Sequence, residues 1–192
     1  MMAPTHALIG ASWWLAGSAA AGHPHLLPVA AGTGISAALA LAPDIDLKGS
    51  EASRALPPVT SVVSWAIRKS CGGHRRVTHS ALGAVIFSAA VLVLVGVTGW
   101  PPWLALAAIC GWVAHVAADL ATEEGCPVLW PDLTKWHLLP PGLRVRTGLR
   151  PVKVQGSNRR RHTAEWWLVR PAAVLACGGA VVLLVRLAAS RR

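Results

Sequence analysis

Long apolar stretches separated by polar segments dominate this chain, and they predict a protein built from membrane-crossing helices. Only the stretch at residues 80–99 is free of charge over the roughly 20 residues that a bilayer requires. The other stretches are shorter or keep polar groups near their ends, so we expect some of them to be tilted or partly inserted. The five predicted spans are residues 7–22, 26–43, 80–99, 102–118 and 166–187.

The first stretch also fits a second interpretation, a cleaved signal peptide, because residues 17–22 are mostly small. A signal peptide begins with a positively charged region, however, and no lysine or arginine precedes this stretch. We therefore favour a helix that belongs to the folded protein.

The composition agrees with a membrane protein. Hydrophobic side chains make up 54% of the chain and charged ones 14%, and the mean hydropathy is +0.49. Soluble domains are less apolar and carry about 25% charged residues. We predict one membrane-bound domain over residues 1–192, an all-α bundle with about four to five hydrophobic helices and a long basic loop before the last helix. The four cysteines show no CxxC pairing, so no disulfide framework is expected.

Basic residues are concentrated in two polar segments, six in residues 44–79 and eight in residues 119–165, out of 18 in the chain. An up-and-down path of the helices puts both segments on one side, which the positive-inside rule makes cytoplasmic. Arg186, Arg191 and Arg192 would then lie on the opposite side, against that rule. Orientation and attraction to anionic headgroups explain the net charge of +10, so membrane lipids are expected partners and nucleic acid is unlikely.

A histidine and a carboxylate stand near the end of an apolar helix in the segment GWVAHVAADLATEEGCPVLWP, residues 111–131. His115 and Asp119 are four residues apart, so a helix brings them to one face with Cβ atoms about 5–6 Å apart. That separation suits two ligands of one metal ion. A buried histidine bonded to a neighbouring aspartate explains the same pair, and the pair alone leaves both interpretations open.

Further histidines and aspartates recur at the ends of the other predicted helices. Asp44 and Asp46 follow the second span, and His74 and His79 flank the start of the third. The predicted topology brings all of these positions to the cytoplasmic ends of separate helices, which indicates a site for a divalent cation. The predicted metal ligands are His6, Asp44, Asp46, His74, His79, His115 and Asp119.

Two arginines lie between the histidines in the segment CGGHRRVTHS. We expect Thr78 or His79 to open the third helix, and helix N-termini favour anions such as phosphate. Arg75 and Arg76 strengthen that preference. This concentration of histidine and arginine at a helix start favours a functional role over a packing role.

Four motifs resemble those of the YdjM-like family of inner-membrane proteins: THALIG at residues 5–10, PDID at 43–46, HRRVTHS at 74–80 and HVAADLATEEGCPVLWP at 115–131. The last two motifs are long and specific. The resemblance covers most of the chain and implies a metal-dependent hydrolase related to the all-helical zinc phospholipase C and single-strand nuclease enzymes. The chain departs from the family pattern at Leu47, where a histidine is usual, and at Arg76, where a glycine is usual. A glutamate before the final helix is also typical, and Glu165 is the candidate.

Our first hypothesis is an enzyme of the bacterial inner membrane that hydrolyses a phosphoester, in a lipid or lipid-linked substrate, at the cytoplasmic surface. Imidazole and carboxylate ligands suit zinc, with manganese or iron as alternatives, and the metal would activate water. We expect Asp46 to act as a general base and Arg75 to stabilise charge on the phosphate. The predicted substrate-binding residues are Arg75, Arg76, Thr122 and Glu165.

Two other hypotheses compete with the enzyme. In the first, the basic loop at residues 135–161 recruits nucleic acid or a regulator and the metal is structural; the family's association with LexA makes a LexA-type repressor the expected partner. In the second, the histidines bind haem or a quinone. The clustering of aspartate with histidine disfavours this, because haem ligation has no use for nearby carboxylates.

Overall fold

The computed structural model describes residues 2–22, 25–147, 149–154, 157–162 and 165–189, so Arg191 and Arg192 lie outside the described residues. Its helices are α1 (Ala3–Ala20), α2 (Leu26–Leu39), α3 (Glu51–Arg54), α4 (Val59–Cys71), α5 (Ala81–Thr98), α6 (Pro102–Leu120) and α7 (Arg170–Ala189). Short 3₁₀ turns form at Ala42–Asp46, Val77–His79 and Pro141–Leu143, and a π-helical turn at Glu165–Val169 leads into α7.

Helix α1 occupies the centre of the bundle, where it contacts α2, α6 and α7, while α2 and α5 also pack on α6. Small residues allow the backbones of α1, α2 and α6 to approach one another closely. A Cβ atom on Gly10 or on Gly111 would lie only 2.6 or 2.3 Å from the Ser36 carbonyl oxygen. The Ser36 hydroxyl in turn donates a 2.8 Å hydrogen bond to the Gly10 carbonyl. Such close packing through small residues is typical of membrane helices, and it fixes α1, α2 and α6 relative to one another.

Four segments of the described chain are long and apolar enough to cross a membrane: Leu26–Asp46, Ala81–Thr98, Pro102–Leu120 and Trp167–Arg186. The first predicted span, residues 7–22, lies largely within helix α1, which is not among them. Helix α5 shows the expected lipid-facing surface, since Val85 and Val97 are 63% and 77% exposed. The prediction of an all-α membrane bundle with four to five hydrophobic helices is confirmed.

Helix α5 begins at Ala81, later than the predicted start at Thr78 or His79. The Ser80 side chain caps the helix by accepting a 3.2 Å hydrogen bond from the Gly83 N–H group. Thr78 and His79 belong instead to the preceding 3₁₀ turn. Both side chains are buried there, which directs them toward the interior of the bundle.

The long basic segment between α6 and α7 contains an element that the sequence analysis did not predict. Strands β1 (Leu149–Val154) and β2 (Ser157–His162) form an antiparallel hairpin in which Leu149 pairs with His162. The earlier part of the segment returns to α6, because Thr122 bridges to Val145 and Cys126 bridges to Trp136. These bridges hold the segment against the end of α6 that carries Asp119.

Candidate metal centre

Polar side chains from four helix ends meet in one layer of the bundle. His6 comes from α1, Asp44 and Asp46 from the turn after α2, His74 and His79 from the segment before α5, and His115 and Asp119 from α6. Five of them are at most 1% exposed: His6, Asp46, His79, His115 and Asp119. The side chains of Asp44 and His74 are 16% and 30% exposed. The structure brings the seven predicted ligands together, and their role as ligands stays a prediction.

Hydrogen bonds fix the orientation of two central imidazole rings. The Nδ1 atom of His115 lies 2.6 Å from the Ala40 carbonyl oxygen, which can only accept, so Nδ1 carries the proton. The Nδ1 atom of His79 lies 2.9 Å from the Thr78 hydroxyl. That hydroxyl donates its own proton to Asp46 Oδ2 at 2.6 Å, so His79 Nδ1 is also the donor. Both rings therefore keep a lone pair on Nε2.

A third ring is held in the same way. The Nδ1 atom of His74 lies 2.7 Å from Asp46 Oδ1, which leaves the His74 Nε2 atom directed toward Asp44. Histidines that bind metals through one ring nitrogen usually donate the other N–H group to an oxygen, as His74 does here. The two oxygens of Asp46 are both occupied, because Oδ2 also accepts from the Arg75 N–H group at 3.1 Å. These contacts favour an orienting role for Asp46 over the predicted role of general base.

Asp44 lies where the three Nε2 atoms converge. Its Oδ1 atom is 3.5 Å from His79 Nε2, 3.7 Å from His115 Nε2 and 4.0 Å from His74 Nε2. The Nε2 atoms of His79 and His115 are themselves only 3.0 Å apart. Since both rings carry their proton on Nδ1, no hydrogen bond joins these two Nε2 atoms while the rings are neutral. A proton or a metal ion between the two lone pairs would stabilise this arrangement.

Asp119 extends the cluster toward α1. Its Oδ2 atom lies 3.6 Å from His79 Nε2 and 3.8 Å from His115 Nε2, and its Oδ1 atom lies 3.3 Å from His6 Nε2. The rings of His6 and His115 stack with their centroids 3.7 Å apart. In the described part of the chain, the buried Nδ1 atom of His6 has no hydrogen-bond partner.

The donor set fits a divalent cation. A tetrahedral zinc ion with ligands at about 2.0–2.1 Å has ligand atoms about 3.4 Å apart, close to the separations around Asp44. Three overlapping groups have their ligand atoms within 4.8 Å of one another: His6, His115 and Asp119; Asp44, His79 and His115; Asp46, His74 and His79. All the donors are imidazole nitrogens or carboxylate oxygens. These groups could hold one cation or more.

Arg75 is held against this cluster by an unusual backbone conformation. Its φ of 55° is the only positive value outside glycine in the described residues, and such a conformation costs on the order of 1 kcal/mol. The Arg75 guanidinium lies 3.0 Å from Asp119 Oδ2 and 2.5 Å from Glu124. Arg75 therefore lies at the edge of the cluster, and its role toward a phosphate stays a prediction.

The other predicted substrate-binding residues differ in their surroundings. Arg76 lines a pocket of about 260 Å³ together with His74 and Arg75. Thr122 is buried and donates a 2.7 Å hydrogen bond to the Asp119 carbonyl. Glu165 is also buried and accepts a 2.6 Å hydrogen bond from the Met2 N–H group. These bonds of Thr122 and Glu165 connect parts of the chain, and their role in substrate binding stays a prediction.

Sequence reasoning missed two groups that orient the rings, Thr78 and the Ala40 carbonyl. Thr78 is adjacent to His79 within the HRRVTHS motif, and that adjacency was the available signal. The Ala40 carbonyl lies at the end of α2, where a helix leaves carbonyl oxygens without intrahelical partners. No sequence pattern indicates which side chain from another helix will donate to such an oxygen.

The thiol of Cys126, which lies next to the cluster, has a raised pKa. Burial raises the pKa of Cys126 to about 12, and the Asp119 carboxylate acts in the same direction. The Cys126 side chain is fully buried. Cys126 therefore stays a neutral thiol at physiological pH, and it is absent from the three ligand groups of the described residues.

The fold and the site define a multi-pass helical membrane protein with a buried cluster of histidine and aspartate at one end of its bundle. The chain belongs to the family of the YdjM inner membrane protein, whose model matches residues 1–188. This confirms the resemblance seen in the motifs and supports a location in the inner membrane.

Two relatives share this similarity. The chain is 30% identical over 146 residues to the inner membrane protein YdjM of Escherichia coli strain K12, and equally to that of Shigella flexneri. The aligned region covers 75% of this chain and 62% of each relative, so the chain spans less than two thirds of their length. No solved structure matches the chain.

Proposed function

We propose that this protein is a membrane-bound, metal-dependent hydrolase that cleaves a phosphoester in a lipid or lipid-linked substrate. The observation that carries the proposal is the 3.0 Å separation of the Nε2 atoms of His79 and His115, whose lone pairs face each other. Facing lone pairs repel, and carboxylate oxygens of Asp44 and Asp119 lie 3.5–3.8 Å from the same two nitrogens. A divalent cation between these donors offsets the repulsion, with zinc as the expected ion and manganese or iron as alternatives.

The residues of the chain divide into ligands and supporting groups. His6, Asp44, His74, His79, His115 and Asp119 would hold the metal. When bound, the metal supplies a Lewis acid that activates water and polarises the phosphoester. Asp46 and Thr78 orient the rings of His74 and His79, while the Arg75 guanidinium binds a phosphate oxygen and stabilises charge that develops on it.

The position of the cluster supports a lipid substrate on the cytoplasmic side. All the proposed ligands come from the ends of apolar helices, which supports a site at the depth of the lipid headgroups. The two segments that adjoin these ends, residues 44–79 and 119–165, carry most of the basic residues of the chain. Short segments rich in lysine and arginine usually stay in the cytoplasm, which supports a cytoplasmic side for the site.

The test combines metal content with turnover. The full chain, purified in detergent without chelators, should contain at least one equivalent of a divalent metal by mass spectrometry. His115→Ala and Asp119→Ala should each lose most of that metal and abolish turnover of bis(p-nitrophenyl) phosphate and of a short-chain phospholipid. His25→Ala is the matched control, because His25 is exposed and lies just before the N-terminal end of α2, whereas the cluster lies at the C-terminal end. A wild-type protein free of metal would contradict the proposal.

A second candidate function is a membrane tether that recruits a LexA-type repressor or nucleic acid through the basic hairpin. The hairpin register supports it, because Arg150 pairs with Arg161 and Val152 pairs with Arg159, which concentrates positive charge in two short strands. Two results together would favour the tether. The wild type would contain metal but turn over no ester, and repressor or DNA binding would weaken with salt and persist in His115→Ala.

A further inference from the structure

A pocket of about 260 Å³ opens beside the histidine–aspartate cluster, and its walls carry three cationic side chains. It is lined by His74, Arg75, Arg76, Gly125, Leu133 and Lys135, together with one proline. We call this cavity the basic pocket. His74 belongs both to the basic pocket and to the histidine–aspartate cluster, where its Nε2 atom faces Asp44. A ligand in the basic pocket therefore lies next to whatever binds at the cluster.

The three cations of the basic pocket are not equivalent. Arg75 is engaged with Asp119 and with Glu124, at 3.0 and 2.5 Å. Among the described residues, no carboxylate lies within ion-pair distance of Arg76 or Lys135. Cations that share a concave surface without carboxylate partners attract an anion, and the enclosure strengthens that attraction.

We propose that the basic pocket binds a second phosphate of the substrate. The protein then accepts a diphosphate group, with one phosphate at the histidine–aspartate cluster and the other beside Arg76 and Lys135. This inference rests on the proposed function, which supplies the first phosphate. Arg75 lies on the border, since it lines the basic pocket and contacts the ligand Asp119.

The experiment measures binding rather than turnover. The metal-loaded chain is titrated in a calorimeter with inorganic phosphate and with methylenediphosphonate, a diphosphate analogue that resists hydrolysis. We expect the wild type to bind the diphosphonate at least about tenfold more tightly than phosphate, because two charge-assisted contacts are added. Metal content is measured after each titration to check that the diphosphonate has not removed the metal.

Variants of the two cations identify the pocket. Arg76→Gln and Lys135→Gln should each weaken diphosphonate binding about tenfold while changing phosphate binding by less than about threefold. Arg76→Lys keeps the charge and should retain most of the affinity. Lys69→Gln is the control, because it removes the same charge from α4, where the Lys69 ammonium lies over the Trp65 ring.

A separate arm identifies the source of the diphosphate. Tighter binding of farnesyl diphosphate than of methylenediphosphonate indicates a lipid-borne group, and equal binding indicates a soluble diphosphate. The inference is overturned if Arg76→Gln and Lys135→Gln bind the diphosphonate as the wild type does, or if they weaken both ligands equally. If the variants behave as expected but no ester is turned over, the proposed hydrolase fails and the diphosphate site stands. If esters are turned over and the variants have no effect, only the diphosphate site fails.

Discussion

The Thr78 hydroxyl donates a 2.6 Å hydrogen bond to the Asp46 carboxylate. The Thr78 hydroxyl oxygen also accepts a 2.9 Å hydrogen bond from the Nδ1–H group of His79. This chain of bonds holds the His79 ring so that its Nε2 atom faces His115. Asp46 and Thr78 therefore orient a ring of the candidate metal centre, and Asp46 also belongs to one of the three possible ligand groups.

The Thr78→Val substitution tests this relationship because it removes the hydroxyl and nearly preserves the shape. It leaves Asp46 Oδ2 and His79 Nδ1 without their shared partner, and the loss of such a supporting group typically lowers metal affinity about 10–100-fold. Thr78→Ser keeps the hydroxyl and should bind metal almost as the wild type does. Competition with a chromophoric chelator gives both affinities, and equal affinities for the valine and serine variants would contradict the assignment.

The Arg75→Gln substitution separates metal binding from the handling of the phosphate. The guanidinium contacts Asp119, and we propose that it also stabilises charge on the substrate. Loss of one such donor typically lowers kcat by about 10²–10³-fold, whereas most of the metal should be retained. Arg146→Gln is the matched control, since Arg146 is exposed and pairs with Glu123 at 2.7 Å. An Arg75→Gln protein with wild-type kcat would remove Arg75 from the mechanism.

The sequence was enough to predict the helical bundle and the seven residues of the cluster. Each of these residues is polar and lies at the end of an apolar stretch, and helices that alternate in direction bring such ends together. His6 and Asp44 illustrate this, because they lie far apart in sequence and at opposite ends of their own helices. No pairwise contact had to be known to bring them into one layer.

The sequence was not enough to predict contacts that depend on the relative depth of the helices. The bond from His115 to the Ala40 carbonyl requires that α2 and α6 pack at one particular height, which the contact of Gly111 with Ser36 sets. The β-hairpin was missed for another reason. Its second strand contains three consecutive arginines, so it lacks the apolar alternation that usually indicates a strand.

The close approach at Gly111 gives a prediction about stability. A Cβ atom there would lie 2.3 Å from the Ser36 carbonyl oxygen and 2.9 Å from the Ala40 nitrogen, so Gly111→Ala should separate α2 from α6. Overpacking of this kind typically costs about 1–3 kcal/mol, and the shift should also weaken metal binding because Ala40 orients His115. Gly96→Ala is the control, because a Cβ at Gly96 meets nothing within 4 Å. Thermal unfolding in detergent should show a lower Tm for Gly111→Ala alone, and equal Tm values would contradict the packing argument.

The buried thiol of Cys126 gives a prediction about pH. Its pKa is raised to about 12 by burial, whereas an exposed cysteine titrates near 8.5. A raised thiol pKa favours the folded state fully below the pKa of the unfolded chain, and this contribution is lost as the pH rises toward 12. Because only the thiolate reacts with iodoacetamide, Cys126 should stay unmodified at pH 9 in the native protein and react after denaturation. Peptide mass spectrometry, with Cys126→Ser to assign the peptide, measures both rates, and equal labelling in the native and denatured states would show that the thiol is accessible and ionised.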